Sequence, residues 1–295
     1  MRIGFVDFVR WAYDPDSVLR EPMGGSQSAL CYLSVELARS GHEVWIFNGV
    51  EQERTVQGVH VQPIEAGSLL RAVELGLDVL VVLNRAGKGR RLRDLLGPEQ
   101  CIVLWVQHDM DQPRIADLGD PDERDSYNAF AFLTLWQRDR FVEAFGIEVE
   151  RTGILRNAIA PVFQGLYEDG ESVLARKASP PVLAYTSTPY RGLSLLLDAF
   201  PIIRDTHPEI ELEVYSSLQV YQVAESEDQD RYGALYERCR QMPGVIYKGS
   251  VPQPELATAL TRATLLAYPC IFPETSCIAV MEALAAGCGV VSTYL

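Results

Sequence analysis

Two glutamates, Glu274 and Glu282, stand eight positions apart in the run PCIFPETSCIAVMEALAAGCGVVST, residues 269–293. Thr264–Tyr268 (TLLAY) before them reads as a short buried parallel strand. Pro269 and Pro273 exclude regular structure and leave a loop at the strand's end. Thr275 or Ser276 can cap a helix running to about Ala286, where Gly287 suits a left-handed stop. The amides of Ser276, Cys277 and Ile278, with the helix dipole behind them, then form an anion site. Glu282 lies roughly 9 Å further along the axis at 1.5 Å per residue. A carboxylate there repels phosphate less and accepts from two adjacent hydroxyls, an arrangement that suits a sugar nucleotide. For two arbitrary glutamates, a first-turn acid at Glu274 and a solvated charge at Glu282 would be the better reading; the Pro-flanked loop, the small residues around the helix and the scarcity of other charge nearby reverse it. The apolar stripe Cys277, Val280, Met281, Leu284 and Cys288 is expected to face the core.

Four other runs carry candidate chemistry. Gly24-Gly25-Ser26-Gln27 opens a helix, and glycine there lets backbone approach an anionic ligand. A flexible turn with Ser26 as cap explains it as well. The run does not match G-x-G-x-x-G and lies too far beyond the first strand for a dinucleotide site. His108, in VQHDMD, follows the strand IVLWV and sits where ligands meet a parallel sheet. In TSTPYRGL (Thr186–Leu193), Arg191 can pair with a diphosphate oxygen as a leaving group gains charge. Lys248-Gly249-Ser250 is an ordinary turn after a strand. Three Asp-x-Asp runs, at 14–16, 109–111 and 228–230, would suit magnesium with a diphosphate, but an acidic chain produces such matches by chance.

These residues need strands and helices to position them. Strands are expected at Ile3–Val6, Val44–Phe47, Val59–Ile64, Asp78–Leu83, Ile102–Val106 and Phe130–Leu135, with helices over 26–39 and 137–145. The pattern restarts with strands at 182–186, 211–216, 245–247, 264–268 and 290–293, and a helix over 193–204. Val223–Arg231 reads as an exposed loop or helix start. Repeated βα units imply doubly wound parallel sheets. Residues 1–163 form one expected domain, the acidic Gly/Pro stretch 164–181 a linker, and 182–295 a second domain.

Bulk properties narrow the partners. A net charge of −14 argues against nucleic acid, whose phosphates need a basic face. A local basic run, Lys88–Arg93 (KGRRLR), reads as a solvated helix start or, alternatively, a contact for an anionic acceptor or lipid headgroup. No segment is apolar enough to cross a membrane, and the start MRIGFVDFV is not a signal peptide. Six scattered cysteines without CxxC pairs fit a reducing cytoplasm rather than a zinc site or disulfide frame.

The run from Glu274 to Gly287 resembles the E-x7-E signature of the group 1 (family 4) retaining glycosyltransferases, with its EAxAxG continuation as EALAAG. Gly24-Gly25 with LARSGHEVWIF downstream resembles the GGxE-type loop of the same family, Gln27 standing where an acid is common. Arg191-Gly192 is similar to the second element of the family's Arg…Lys-Gly pair, while Thr186 or Ser187 replaces the upstream arginine. The resemblance covers nearly the whole chain. It implies an α/β GT-B fold, two Rossmann-like doubly wound parallel-sheet domains facing across a cleft. The second would be incomplete, since family members continue past this last strand, and a truncated chain is expected. It further implies metal-independent sugar transfer with retention from a nucleotide-sugar donor, UDP- or GDP-linked, to a glycan, lipid-linked or small-molecule acceptor, with no cofactor. Glu274, His108 and Arg191 would be catalytic. Gly24, Gly25, Ser187, Gly249 and the amides of Ser276, Cys277 and Ile278 would bind the donor, with Glu282 on its ribose. The alternatives are a metal-dependent or epimerase-type sugar-nucleotide enzyme on this fold, or a module that binds the donor without turnover.

Overall fold

A computed structural model describes residues 1–65, 70, 71 and 73–293; Tyr294 and Leu295, within the expected second domain, lie outside the described residues. The chain divides into two compact units. The first comprises Met1–Ser17, Ser26–Asn157 and Glu274–Ser276; the second comprises Val18–Gly25, Ala158–Pro273 and Cys277 onward.

The first unit is built on strands β1 (Arg2–Val6), β2 (Glu43–Asn48), β3 (Arg54–Val56), β4 (Val59–Pro63), β5 (Val79–Leu83), β6 (Ile102–Val106), β7 (Ala129–Phe132) and β8 (Thr152–Ile154), in the order β3-β4-β2-β1-β5-β6-β7-β8. Every pairing is parallel except β3 with β4. The runs IGFV, VWIFN and IVLWV are nearly uninterrupted apolar stretches because helices cover both faces. Val6, Phe47, Val82, Leu104, Phe130 and Phe132 meet in one core, each fully buried, and each such side chain contributes roughly 1.5–3 kcal/mol. The chain winds away from β1 in both directions, so strand order reverses between β1 and β5. That reversal opens a crevice at the carboxyl ends.

Helices α1 (Gly25–Arg39), α2 (Gly89–Leu96) and α3 (Leu135–Phe145) belong mainly to this unit. The strand expected over 130–135 stops at Phe132, because the Thr134 side chain accepts from the Gln137 amide and caps α3. Gly146, at φ 65°, closes that helix in the left-handed region.

The second unit carries β9 (Val182–Tyr185), β10 (Glu211–Val214), β11 (Val245–Tyr247), β12 (Leu265–Tyr268) and β13 (Gly289–Ser292) in the order β11-β10-β9-β12-β13, all parallel. Its reversal lies between β9 and β12. Helices α4 (Leu193–Thr206), α5 (Glu225–Gln241), α6 (Gln253–Arg262) and α7 (Ile278–Ala285) accompany the strands. Residues 223–231 enter α5 with Glu225, Glu227 and Asp228 in its first turn, where acids favour the dipole.

Residues 164–181 do not behave as a free linker. The Tyr167 hydroxyl donates to the Ala286 carbonyl (2.7 Å) and Lys177 Nζ to the carbonyls of Ala286 (2.8 Å) and Leu260 (3.2 Å). These carbonyls are left over at the ends of α7 and α6, so the segment completes two helix termini.

Candidate functional site

The switch point of the second unit is lined from four sides. Beyond β12, Pro269–Cys277 leads into α7. The expected cap is corrected: α7 starts at Ile278, and Cys277 is its N-cap without a side-chain hydrogen bond. Thr275 instead donates its hydroxyl to the Gln107 carbonyl (3.0 Å), a bond inside the first unit. Of the three expected helix amides, Ile278 therefore occupies the first helical position, while Ser276 and Cys277 precede it. Gly287, at φ +71°, ends the helix as its sequence suggests. The apolar stripe is turned, with Leu284 57% exposed, while Ala283 and Glu282 are buried.

Glu282 is the central finding. Only 4% exposed, its Oε1 accepts from Gln253 Nε2 at 2.9 Å, across from the first turn of α6. Burial pushes its carboxyl up to about 8. Nothing in the spacing of the chain links Gln253 to Glu282. A buried carboxylate with one donor retains acceptor capacity that a ligand hydroxyl can fill.

Beyond β9, Ser187 Oγ lies 3.4 Å from the Tyr268 hydroxyl, bridging the two strands that flank the switch point. Gly192 follows at φ +116°, and a Cβ there would fall 2.0 Å from the Pro269 carbonyl oxygen. This close approach holds the β9 and β12 loops together and only glycine permits it. Arg191 lies with its guanidinium 4.5 Å from the centroid of Phe272 and 5.9 Å from that of Tyr190, fixing the cation on the loop that follows β12. Gly249, at φ +70°, has open space where a Cβ would stand, and its neighbour Ser250 shares a 2.7 Å hydrogen bond with Ser217, buried beyond β10. Sequence reasoning missed Gln253, Tyr268 and Ser217.

Gly24 and Gly25 also cluster with the second unit. The Gly24 amide donates to the Val220 carbonyl (2.7 Å), and that donor is thereby used within the protein. A Cβ on Gly25 would come 3.1 Å from Ile278 Cδ1, so this glycine backbone lies against the start of α7.

His108 and Glu274 cluster with the first unit, both half-buried. The His108 carbonyl accepts from Gln137 Nε2 (2.8 Å), which also donates to Val106 (3.2 Å) and fixes the loop after β6. At the end of β1, buried Asp7 accepts from Tyr13 (2.9 Å) and Gln27 (2.9 Å). The Asp-x-Asp runs are committed at their first carboxylates: Asp14 pairs with Arg54, Asp109 with Arg140, and Asp228 accepts from the Leu218 amide and Tyr236. Among the described residues no group of three His, Cys, Asp or Glu side chains could hold a metal, and no helix is long and apolar enough to cross a membrane.

Comparison with curated proteins returns no match. Among solved structures, the chain is similar to a glycosyltransferase from Rickettsia africae (11% identity, TM-score 0.70, covering 100% of this chain and 80% of that one). It is similar to WaaG, a glycosyltransferase involved in lipopolysaccharide biosynthesis (15%, 0.67, 98% and 80%). It is also similar to Anabaena HepE in complex with UDP-glucose (14%, 0.64, 99% and 80%). At these identities the likeness establishes the fold: two Rossmann-like parallel-sheet units of the kind found in these glycosyltransferases. Residues 177–294, the part of this chain that holds Glu282, Arg191 and Gly249, match the family described as glycosyl transferases group 1.

Proposed function

We propose that the protein transfers a sugar from a nucleotide-sugar donor to an acceptor hydroxyl, with retention and without a metal ion. The observation that carries this reading is Glu282: a buried, single-bonded carboxylate at the switch point of a parallel sheet, behind a helix start. It accepts from the ribose hydroxyls, while the amides of Ser276, Cys277 and Ile278 face the diphosphate and Ser187 and Gly249 line the donor. Arg191, held on Phe272, neutralises charge that grows on the leaving diphosphate. Glu274 meets the donor sugar and His108 the sugar or the acceptor. The nucleoside diphosphate departs and the acceptor attacks from the same face. The commitment of the first carboxylate of each Asp-x-Asp run to internal partners supports metal independence. HepE, which is described with UDP and with UDP-glucose, favours a UDP-linked donor. Cysteines that form no disulfide among the described residues fit a cytoplasmic setting.

A second reading, donor binding without turnover, draws on Gln27, whose amide is used on Asp7 and supplies no acid. Thermal unfolding with UDP-, GDP-, ADP- and dTDP-sugars tests both. One donor is expected to raise the unfolding temperature, as a ligand of the native state must, and Glu282→Ala to abolish that response. An unchanged response in Glu282→Ala would remove the ribose assignment. Release of nucleoside diphosphate only with an acceptor present separates transfer from mere binding, and activity that survives EDTA supports metal independence.

A further inference from the structure

The basic run Lys88–Arg93 divides sharply in the fold. Arg90 pairs with Asp120 (3.0 Å) and Glu123 (3.2 Å). Arg93 donates to the carbonyls of Gly97, Pro98, Gln100 and Ser126, closing the end of α2. Lys88 and Arg91 have no ion pair or side-chain hydrogen bond among the described residues. Both line one cavity of about 370 Å³, together with Phe8, Ile64, Leu92, Leu95 and the exposed Asp94. Lys88 Nζ stands 5.5 Å from the centroid of the Phe8 ring.

The cavity's place is specific. Phe8 follows β1 and Lys88 follows β5, the two strands between which the first unit reverses its winding, and Ile64 follows β4. Ligands of open parallel sheets sit at this crevice. A volume of about 370 Å³ suits a small molecule rather than a macromolecule. The chain's net charge of −14 repels anions in general, so two uncompensated cations facing one apolar cavity form a local exception. Two cations outweigh the single acid, Asp94.

We propose that this cavity binds a small anionic amphiphile, a phosphate or carboxylate carried on a short apolar body. Lys88 and Arg91 hold the anion, and Phe8, Ile64, Leu92 and Leu95 cover the apolar part. Naming this compound as the acceptor rests on the sugar-transfer reading; its binding does not.

Calorimetric titration of the full chain with hexyl phosphate, without donor, provides the test. Saturable binding is expected, with hexanol and inorganic phosphate each about tenfold weaker or worse. Lys88→Ala combined with Arg91→Ala should weaken hexyl phosphate by a similar factor. Neither side chain has an ion pair or side-chain hydrogen bond to lose among the described residues, and an unchanged unfolding temperature would verify that the fold persists. Leu95→Asp attacks the same complex from its apolar side. Equal binding by the folded double variant, or hexanol binding as tightly as hexyl phosphate, overturns the proposal. Co-sedimentation with phosphatidic acid vesicles, lost in the double variant, would assign a membrane-held amphiphile; hexyl phosphate binding without vesicle retention would assign a soluble one. Nucleotide-sugar stabilisation should persist in the double variant, and hexyl phosphate binding should persist in Glu282→Ala, so the two readings fail separately.

Discussion

Each unit buries a carboxylate near its switch point, Asp7 in the first and Glu282 in the second, and the two are treated differently. In the first unit, burial raises the Asp7 carboxyl, but bonds from Gln27 and Tyr13 and the charge of Arg114 pull it back. In the second unit, Glu282 has a single bond from Gln253, and desolvation carries it to about 8. Asp7 is stitched into its own fold and serves structure. Glu282 keeps open valences, which is the state expected of a group awaiting hydroxyl donors from a ligand. Perturbed carboxylates of this second kind are characteristic of functional sites.

The comparison can be broken most forcefully through the loops. Gly192→Ala places a Cβ against the rigid Pro269 carbonyl at a left-handed φ, and should destabilise the second unit by roughly 3 kcal/mol or more. Gly4→Ala in the first unit meets side-chain atoms of Leu77, Leu80 and Phe47 rather than backbone and should be milder. Calorimetric unfolding of both variants measures the difference; equal losses would contradict it.

Gln27→Glu tests the first carboxylate. It sets a second acid against buried Asp7 in place of a donor, and a loss of about 2–3 kcal/mol at neutral pH is expected. The loss should shrink as the pH falls and one of the pair takes a proton. A neutral or stabilising outcome would show that Asp7 is not held as described.

Gln253→Ala addresses the second. Without its donor, Glu282 should bind the nucleotide sugar about tenfold more weakly, roughly 1–2 kcal/mol, in a titration with the donor that stabilises the wild type. Unaltered affinity would make Gln253 a bystander.

The effect smallest per pH step is a slope. A glutamate whose folded value is raised holds its proton while the unfolded chain has lost it. Stability from this group is therefore complete below the ordinary glutamate value of 4.5 and falls as pH rises toward about 8. The decline should approach about 1 kcal/mol per pH unit, and Glu282→Gln should remove it. Urea midpoints across this range for both proteins provide the check; identical slopes would place Glu282 in a wetter site.

Much of the architecture was legible in order. Apolar runs such as VWIF and IVLWV can only be buried strands, and Gly287 stops a helix because a left-handed φ suits glycine. Element ends were less so: Thr134 could cap α3 only because the chain turned early after Phe132, and Thr275 gave its hydroxyl to Gln107 instead of α7. The segment 164–181 looked like a linker because its tyrosine and lysine find their carbonyl partners more than eighty residues away.

By itself, then, the sequence determined the alternation of strands and helices, the presence of a two-glutamate helix unit and the family it resembles, since these depend on short-range periodicity and spacing. Only the tertiary structure decided that Glu282 is buried and bonded to Gln253, that Arg191 rests on Phe272, and that Lys88 and Arg91 rather than Arg90 and Arg93 face a cavity. Desolvation, ring contacts and charge pairing depend on distances between residues far apart in the chain, and those distances exist only once the sheets are assembled.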